Sequence, residues 1–317
     1  MMKQRFSILL IGILLMSLIT CGVGAAPKSL TIGLSVPTLS MTWFSFLKGA
    51  VESEARKLGN IRIVTVDAEN KTAKQMSDVE DLIIKKVDAV LLVPIEVKAL
   101  IPAVEDLNRA KIPVATVDRR IEDSSLDILV HVGADNVEGG RQAARYLGKL
   151  LNGKGNLVEI EGTPGSSPAR DRGRGFNEVL QKEFPNMKVI FRQTADFRRA
   201  DGMNLMENII QSGKSFDAVF AHNDDMILGA LEALKARSGG KKVITMGFDA
   251  IEDALDAVEE GALNGTVEQF PGKQAATALD TLVESLRTGK APASKAIWVV
   301  PKVITKANLN DAEKRLK

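Results

Sequence analysis

The sequence predicts an α/β protein built as two doubly wound lobes, each around a parallel sheet. Three observations predict it. Short, continuously apolar runs such as Ala89-Val90-Leu91-Leu92-Val93 alternate with segments of helical spacing, the pattern of strands covered on both faces by helices. The alternation runs as far as Asp118-Arg119 and restarts near Leu129. No long Gly/Ser stretch separates the two series, so the crossovers between lobes are tight and suit a hinge better than a tether.

In the first series, Leu30 to Ser35 is a short apolar strand. Phe44 to Leu58 has helical spacing and stops at Gly59-Asn60, a helix-terminating pair. Ile61 to Val66 is β-branched and reads as a strand, and Ala73 to Lys86 as a helix. The strand from Ala89 to Val93 is closed by Pro94, which cannot donate to a ladder. A helix over Val97 to Ala110 and a strand over Pro113 to Val117 complete the series. The second series gives strands at 129–132, 156–161, 189–193, 218–221 and 243–247, with helices at 136–151, 169–183, 201–211 and 224–236 between them. A helix from Lys273 to Leu286 and a terminal strand from Trp298 to Ile304 follow.

The first residues carry a different signal. Lys3 and Arg5 precede an apolar run, Phe6 to Ile19, and then a small, weakly structured segment, Cys21 to Pro27. That order is a secretory signal peptide, and the run falls short of the about 20 residues of a membrane span. Val23 and Ala25 fit the small residues before a cleavage site, giving a signal over 1–25. The competing reading takes Leu18-Ile19-Thr20-Cys21 as a lipoprotein box with a lipid anchor on Cys21. Either way the protein is expected to work outside the cytoplasm, in the periplasm or its equivalent.

Composition narrows the function. The 317 residues include 42 Lys and Arg against 40 Asp and Glu, which is no basic footprint for nucleic acid. The single cysteine lies in the signal and there are only two histidines, His131 and His222, so thiolate and multi-histidine metal sites are excluded. No Walker A, Gly-x-Gly-x-x-Gly, Gly-x-Ser-x-Gly or His-Glu-x-x-His is present, which argues against the common enzyme classes built on such folds. No metal or cofactor is expected.

In open parallel sheets, ligands bind beyond the carboxyl ends of the strands. The residues there have one chemical character. Asp118 and Asp249 offer carboxylates, Arg119 and Arg172 guanidinium forks, Asn223 and Gln269 amides, and Trp43, Phe44 and Phe197 rings. Carboxylates accept from hydroxyls, guanidinium donates, amides do both, and ring faces pack on C–H surfaces. The charges balance, so an uncharged polyhydroxylated ligand fits better than a phosphate, which would want surplus cations.

These residues lie in motifs that occur in a definite order: Thr38-Leu39 with Trp43-Phe44, Val117-Asp118-Arg119, Gly133-Ala134-Asp135-Asn136, Ala169 to Phe176, Ala195-Asp196-Phe197, Phe220 to Met226, Gly247-Phe248-Asp249 and Glu268-Gln269-Phe270-Pro271. In that order the chain resembles the ribose-binding family of periplasmic substrate-binding proteins, the type I partners of ABC sugar importers, from about Thr31 to Thr305. The resemblance implies a three-strand hinge with crossings near Ala134, Gln269 and Val300. It divides the chain into an N-terminal lobe of 26–134 and 270–299 and a C-terminal lobe of 135–269 and 300–317. It places sugar contacts on Trp43, Phe44, Asp118 and Arg119 of one lobe, on Arg172, Phe197, Asn223 and Asp249 of the other, and on the hinge residue Gln269. It further implies a monomer that delivers a sugar or polyol to an importer permease and is not an enzyme.

Two positions depart from the ribose pattern. Met41 stands where an amide is usual, and Trp43 replaces a phenylalanine. Losing a strong polar partner at Met41 disfavours a hydroxyl there by about 1–3 kcal/mol. The expected ligand is therefore a monosaccharide other than ribose, or a polyol, with an apolar or absent substituent near Met41. Two other readings share the fold. A sensor feeding a chemoreceptor or kinase would bind the same ligand. A glycoside-processing enzyme would use Asp118 and Asp249 as an acid/base pair, but the neighbouring arginines are expected to keep both ionised. His131 and His222 are expected to be structural, and Arg120, Arg170, Arg174, Arg198 and Arg199 to be solvated.

Overall fold

The structure, a computed structural model, describes residues 29–236 and 242–313. The signal segment over 1–25 and its Cys21 lie outside the described residues. The elements follow in the order β1 (Leu30–Val36), α1 (Thr42–Leu58), β2 (Ile61–Asp67), α2 (Thr72–Ile84), β3 (Ala89–Leu92), α3 (Ile101–Arg109), β4 (Val114–Val117), β5 (Val130–Ala134), α4 (Asn136–Leu150), β6 (Lys154–Glu161), α5 (Ser167–Glu183), β7 (Asn186–Thr194), α6 (Arg199–Gln211), β8 (Ala218–Ala221), α7 (Asp224–Ala236), β9 (Ile244–Met246), α8 (Glu252–Glu260), β10 (Thr266–Glu268), α9 (Pro271–Thr288), β11 (Ala296–Val299) and β12 (Lys302–Ile304).

Two parallel sheets organise these elements. The first has the order β11-β5-β4-β3-β1-β2 and the second β7-β6-β8-β9. Their common logic is a strand pair that reverses the order once, between β1 and β3 in the first and between β6 and β8 in the second, and such switch points open a crevice at the carboxyl ends of the strands. The central strands β3 and β4 are buried throughout, as continuous apolar runs between two helical layers must be. The edge strands β2 and β7 are only partly covered. The chain thus adopts the two-lobed, doubly wound architecture.

Some boundaries differ from the sequence expectation, for identifiable reasons. The terminal strand is two strands. β11 joins the first sheet beside β5, whereas β12 pairs antiparallel with β10. Pro301, which has no N–H to donate, stands at the break. The β10–β12 pair adjoins the second sheet through bridges Met246↔Gly265 and Asp249↔Glu268. Strand β10 and helix α8 were not expected individually. In α8 only Ala254 and Val258 are buried, so its apolar stripe is too thin to read as a period. Helix α3 starts at Ile101, not Val97, because residues 97–100 turn across the mouth of the crevice, where the Val97 N–H donates to the Gly165 carbonyl at 3.1 Å.

Helices α4 and α5 are held at backbone contact. A Cβ added to Gly140 would collide with the Arg172 carbonyl, and one added to Gly175 with the Val137 carbonyl. This close approach, which only glycine permits, brings Asn136 at the start of α4 within reach of Arg172 in α5.

Candidate functional site

The crevice between the two sheets' carboxyl ends holds a small cavity. Every residue that the sequence singles out for ligand contact lines it: Met41, Trp43, Phe44, Asp118, Arg119, Arg172, Phe197, Asn223, Asp249 and Gln269, joined by Pro168. Pro168 sits in the first turn of α5, four residues before Arg172, and its apolar ring gave the sequence reading no chemical cue.

Local folding aims these side chains inward. Met41 precedes α1 with no side-chain cap of its own, and the Phe44 N–H closes the first turn on the Met41 carbonyl at 3.1 Å. Trp43 and Phe44 are therefore helical and buried, edge to face at 5.3 Å. Three of the lining residues hold left-handed backbone: Asp118 (φ 59°), Phe197 (φ 61°) and Asp249 (φ 115°). Such conformations are costly away from glycine and concentrate at functional sites. Asp118 and Asp249 are nonetheless anchored as strand extensions, their N–H groups donating to Val132 at 2.9 Å and Val267 at 2.8 Å.

Arg172 is fixed by the protein. Its Nε donates to Asn136 Oδ1 at 2.8 Å and its Nη1 to the His222 carbonyl. Nη1 also lies 3.5 Å from Asp249 Oδ1, and the guanidinium stacks 3.8 Å over the Phe248 ring. Gln269 Nε2 donates to Asp249 Oδ1 at 2.5 Å. Asn223 is committed twice: its Oδ1 accepts from Met226 N at 3.0 Å, in the manner of a helix cap, and its Nδ2 donates to the Phe197 carbonyl at 3.2 Å. Arg119 is held less fully. Its Nη1 donates to the Ile95 carbonyl at 3.0 Å, its Nε is 3.8 Å from Asp118 Oδ2, and its guanidinium lies over both Phe44 (5.2 Å) and Phe197 (5.4 Å).

The electrostatics correct one expectation. Burial pushes the Asp118 carboxyl up to about 6, and the Arg119 and Arg172 charges only partly oppose it. Burial likewise holds the Asp249 carboxyl well above its usual range despite Arg172. The adjacent arginines thus offset only part of the cost of burying both acids, because all four groups are nearly sealed from water and desolvation outweighs the attraction. The same burial lowers Arg172, and lowers Arg119 to about 10, which leaves Arg119 cationic at neutral pH.

Among the described residues, five buried side-chain polar atoms lack a hydrogen-bond partner, and three of them belong to this cavity's wall: Trp43 Nε1, Arg119 Nε and Gln269 Oε1. Native interiors rarely leave such atoms unpaired. The residues of the wall therefore hold two N–H donors and one carbonyl acceptor without a protein partner, in addition to the carboxylates. No cluster of three or more metal-ligating side chains occurs among the described residues.

A second set of contacts closes the crevice at its rim. Arg120 Nη1 meets Asp171 Oδ2 at 2.5 Å, and Arg120 N–H donates to Ser167 Oγ at 3.1 Å. Arg170 Nη2 pairs with Glu122 at 2.8 Å. Arg120 is thus mostly buried and bridges the two sheets' ends, against the expectation of a solvated side chain; Asp171, its partner, was not singled out. The signal for the pair lay in the motif from Ala169 to Phe176, where Asp171 sits beside Arg172. The two histidines have structural partners. His131 Nδ1 lies 3.0 Å from Thr116 Oγ1, and His222 Nε2 lies 3.1 Å from the buried Glu159 carboxylate.

Comparison with known proteins agrees with this architecture. The periplasmic binding protein domain family matches residues 32–291. The ribose import binding protein of Bacillus subtilis is 42% identical over 266 residues, covering 83% of this chain and 85% of its own. A xylitol-binding protein of Mycolicibacterium smegmatis is 36% identical over 308 residues, 94% of this chain and 84% of its own. The crystal structure of a Caulobacter myo-inositol binding protein superposes with a TM-score of 0.84 at 35% identity, covering 91% of this chain and 98% of that one. With its paired doubly wound sheets and a polar cavity at their facing ends, the chain belongs to the periplasmic binding protein family.

Proposed function

We propose that this protein is an exported solute-binding protein that captures an uncharged monosaccharide or polyol in the crevice and delivers it to an ABC importer permease at the membrane. The observation that carries the reading is the trio of unpaired buried atoms, Trp43 Nε1, Arg119 Nε and Gln269 Oε1, in a wall that also holds two Asp and two Arg. A neutral molecule with several hydroxyls both donates and accepts, so it pairs these atoms without adding net buried charge. Relatives that bind ribose, xylitol and myo-inositol support the ligand class. That they are binding proteins supports a non-enzymatic role. Met41, which offers no strong hydrogen bond, shifts the preference from ribose toward another sugar or a polyol.

In this reading the lobes comprise 26–134 with 270–299, and 135–269 with 300–317, hinged where the chain crosses near Ala134, Gln269 and Val300. Ligand meets one lobe in an open form and draws the second over it. The gain of contacts on closing supplies the differential affinity that a ligand-driven switch needs. The protein acts as a monomer, exported by a signal over 1–25, with lipid on Cys21 as the alternative to cleavage before Ala26. Titration calorimetry over pentoses, hexoses and polyols tests the ligand class. Binding of a neutral sugar or polyol in the micromolar range or tighter is expected, and binding of none of them, or tighter binding of a sugar phosphate, overturns the reading.

A further inference from the structure

The geometry points to Trp43 as a hydrogen-bond donor that sets specificity, its indole Nε1–H giving a bond to a ligand oxygen in place of the polar partner that Met41 does not supply. This inference rests on the reading of the cavity as a sugar or polyol site and deepens it. The sequence alone suggests Trp43 as a stacking face. The structure instead sets its ring edge to face on Phe44 at 5.3 Å and leaves its nitrogen buried and unpaired.

Two features argue that the missing partner is the ligand. A buried indole N–H almost always finds an acceptor, and Trp43 is part of the cavity wall. The other unpaired atoms of the wall residues, Arg119 Nε and Gln269 Oε1, share its condition. The chemistry at this end of the cavity follows from residue type. Indole only donates, the Met41 thioether accepts weakly, and neither offers the paired donor and acceptor of an amide. The Trp43 end therefore selects a ligand oxygen that accepts, and whose own proton, if it is a hydroxyl, is placed elsewhere. A ligand lacking that oxygen leaves the N–H unpaired, a defect that protein sites reject strongly.

The test combines one variant with a ligand series. D-ribose, xylitol and myo-inositol are titrated into wild type and Trp43→Phe, followed by the monodeoxy derivatives of whichever binds most tightly. Phenylalanine keeps an aromatic ring and deletes the donor. The variant should bind the parent ligand about tenfold more weakly, with an unchanged melting temperature. One monodeoxy derivative should lose a similar factor on wild type and nothing further on the variant. A second readout uses wild type alone. The chain has two tryptophans, so its ¹H–¹⁵N spectrum shows two indole signals, and the one missing in Trp43→Phe should move downfield on ligand addition. Equal affinity of variant and wild type, or a uniform loss across the deoxy series with a stationary indole signal, overturns the inference while leaving the sugar-binding reading intact. Failure of every neutral sugar and polyol to bind wild type overturns that reading itself.

Discussion

The two sides of the cavity are built to different standards of rigidity. On the side of the second sheet, Arg172 is tied to Asn136, the His222 carbonyl and Asp249, is stacked on Phe248, and stands on a helix locked to its neighbour by glycine contacts. On the side of the first sheet, the Arg119 guanidinium has one hydrogen bond, to Ile95, a distant approach to Asp118 and an unpaired Nε, and the side chains of Met41 and Trp43 contribute no paired polar group. One side is a preorganised platform. The other leaves hydrogen-bonding groups without a protein partner. Preorganisation gives affinity by lowering ordering costs, while unpaired groups give selectivity because a wrong ligand leaves them unsatisfied.

The sharpest way to break this comparison is at Arg172. Arg172→Ala removes the fork on which the platform converges and leaves Asp249 buried with less compensation. It should weaken ligand binding by about 2–5 kcal/mol, the cost of truncating one partner of a buried charged pair, while far-ultraviolet circular dichroism stays native. Arg172→Lys should recover little of this, because a point charge cannot reproduce the fork's separate bonds to Asn136 and His222. The corresponding change at Arg119 should be milder. Arg119→Lys keeps a cation near Asp118 and one donor, so calorimetry should show a loss of about 1–2 kcal/mol. If the lysine variants are equally impaired, the difference between the two sides does not exist.

The rim gives a smaller effect. Arg120→Ala deletes the bridge to Asp171, which joins the ends of the two sheets without lining the cavity. It should weaken all ligands by the same factor, about three- to tenfold, as a partly buried pair supplies about 1 kcal/mol or somewhat more. A change in ligand preference would contradict that role. The smallest effect is with pH. Asp118 is raised from 3.8 to about 6 by burial, so the folded form holds its proton more tightly than the unfolded chain. Its contribution to stability is accordingly greatest below 3.8 and is lost as pH rises through about 6. A ligand hydroxyl that donates to the carboxylate lowers its pKa again, so the thermal stabilisation conferred by ligand should grow over the same window. Asp118→Asn should flatten both profiles in differential scanning fluorimetry.

Much of this architecture was legible in the sequence, because strands buried on both faces leave uninterrupted apolar runs and the strand-end rule says where to look. It also brought Asp118, Arg119, Arg172, Asn223 and Asp249 to attention, since each directly follows a strand or sits in a strongly patterned motif. What escaped has a common cause, which is that depth and partnership are tertiary properties. Arg120 stands in the same run as Arg119, and nothing local distinguishes the one that bridges to Asp171. The raised carboxyls of Asp118 and Asp249 come from closure around them, whereas a linear reading sees only the arginines nearby. The unpaired nitrogen of Trp43 is visible only once the ring is placed on Phe44. Helix α8 and strand β10 are too short or too polar to carry a period.

The most direct test is a crystal structure of the protein with the tightest-binding member of a sugar and polyol panel. The account predicts one ligand molecule between the two sheets, with hydroxyls within about 3 Å of Asp118, Arg172 and Asp249 together and oxygens meeting Trp43 Nε1 and Arg119 Nε. A ligand seated elsewhere, or held with those three side chains turned away from it, contradicts the account.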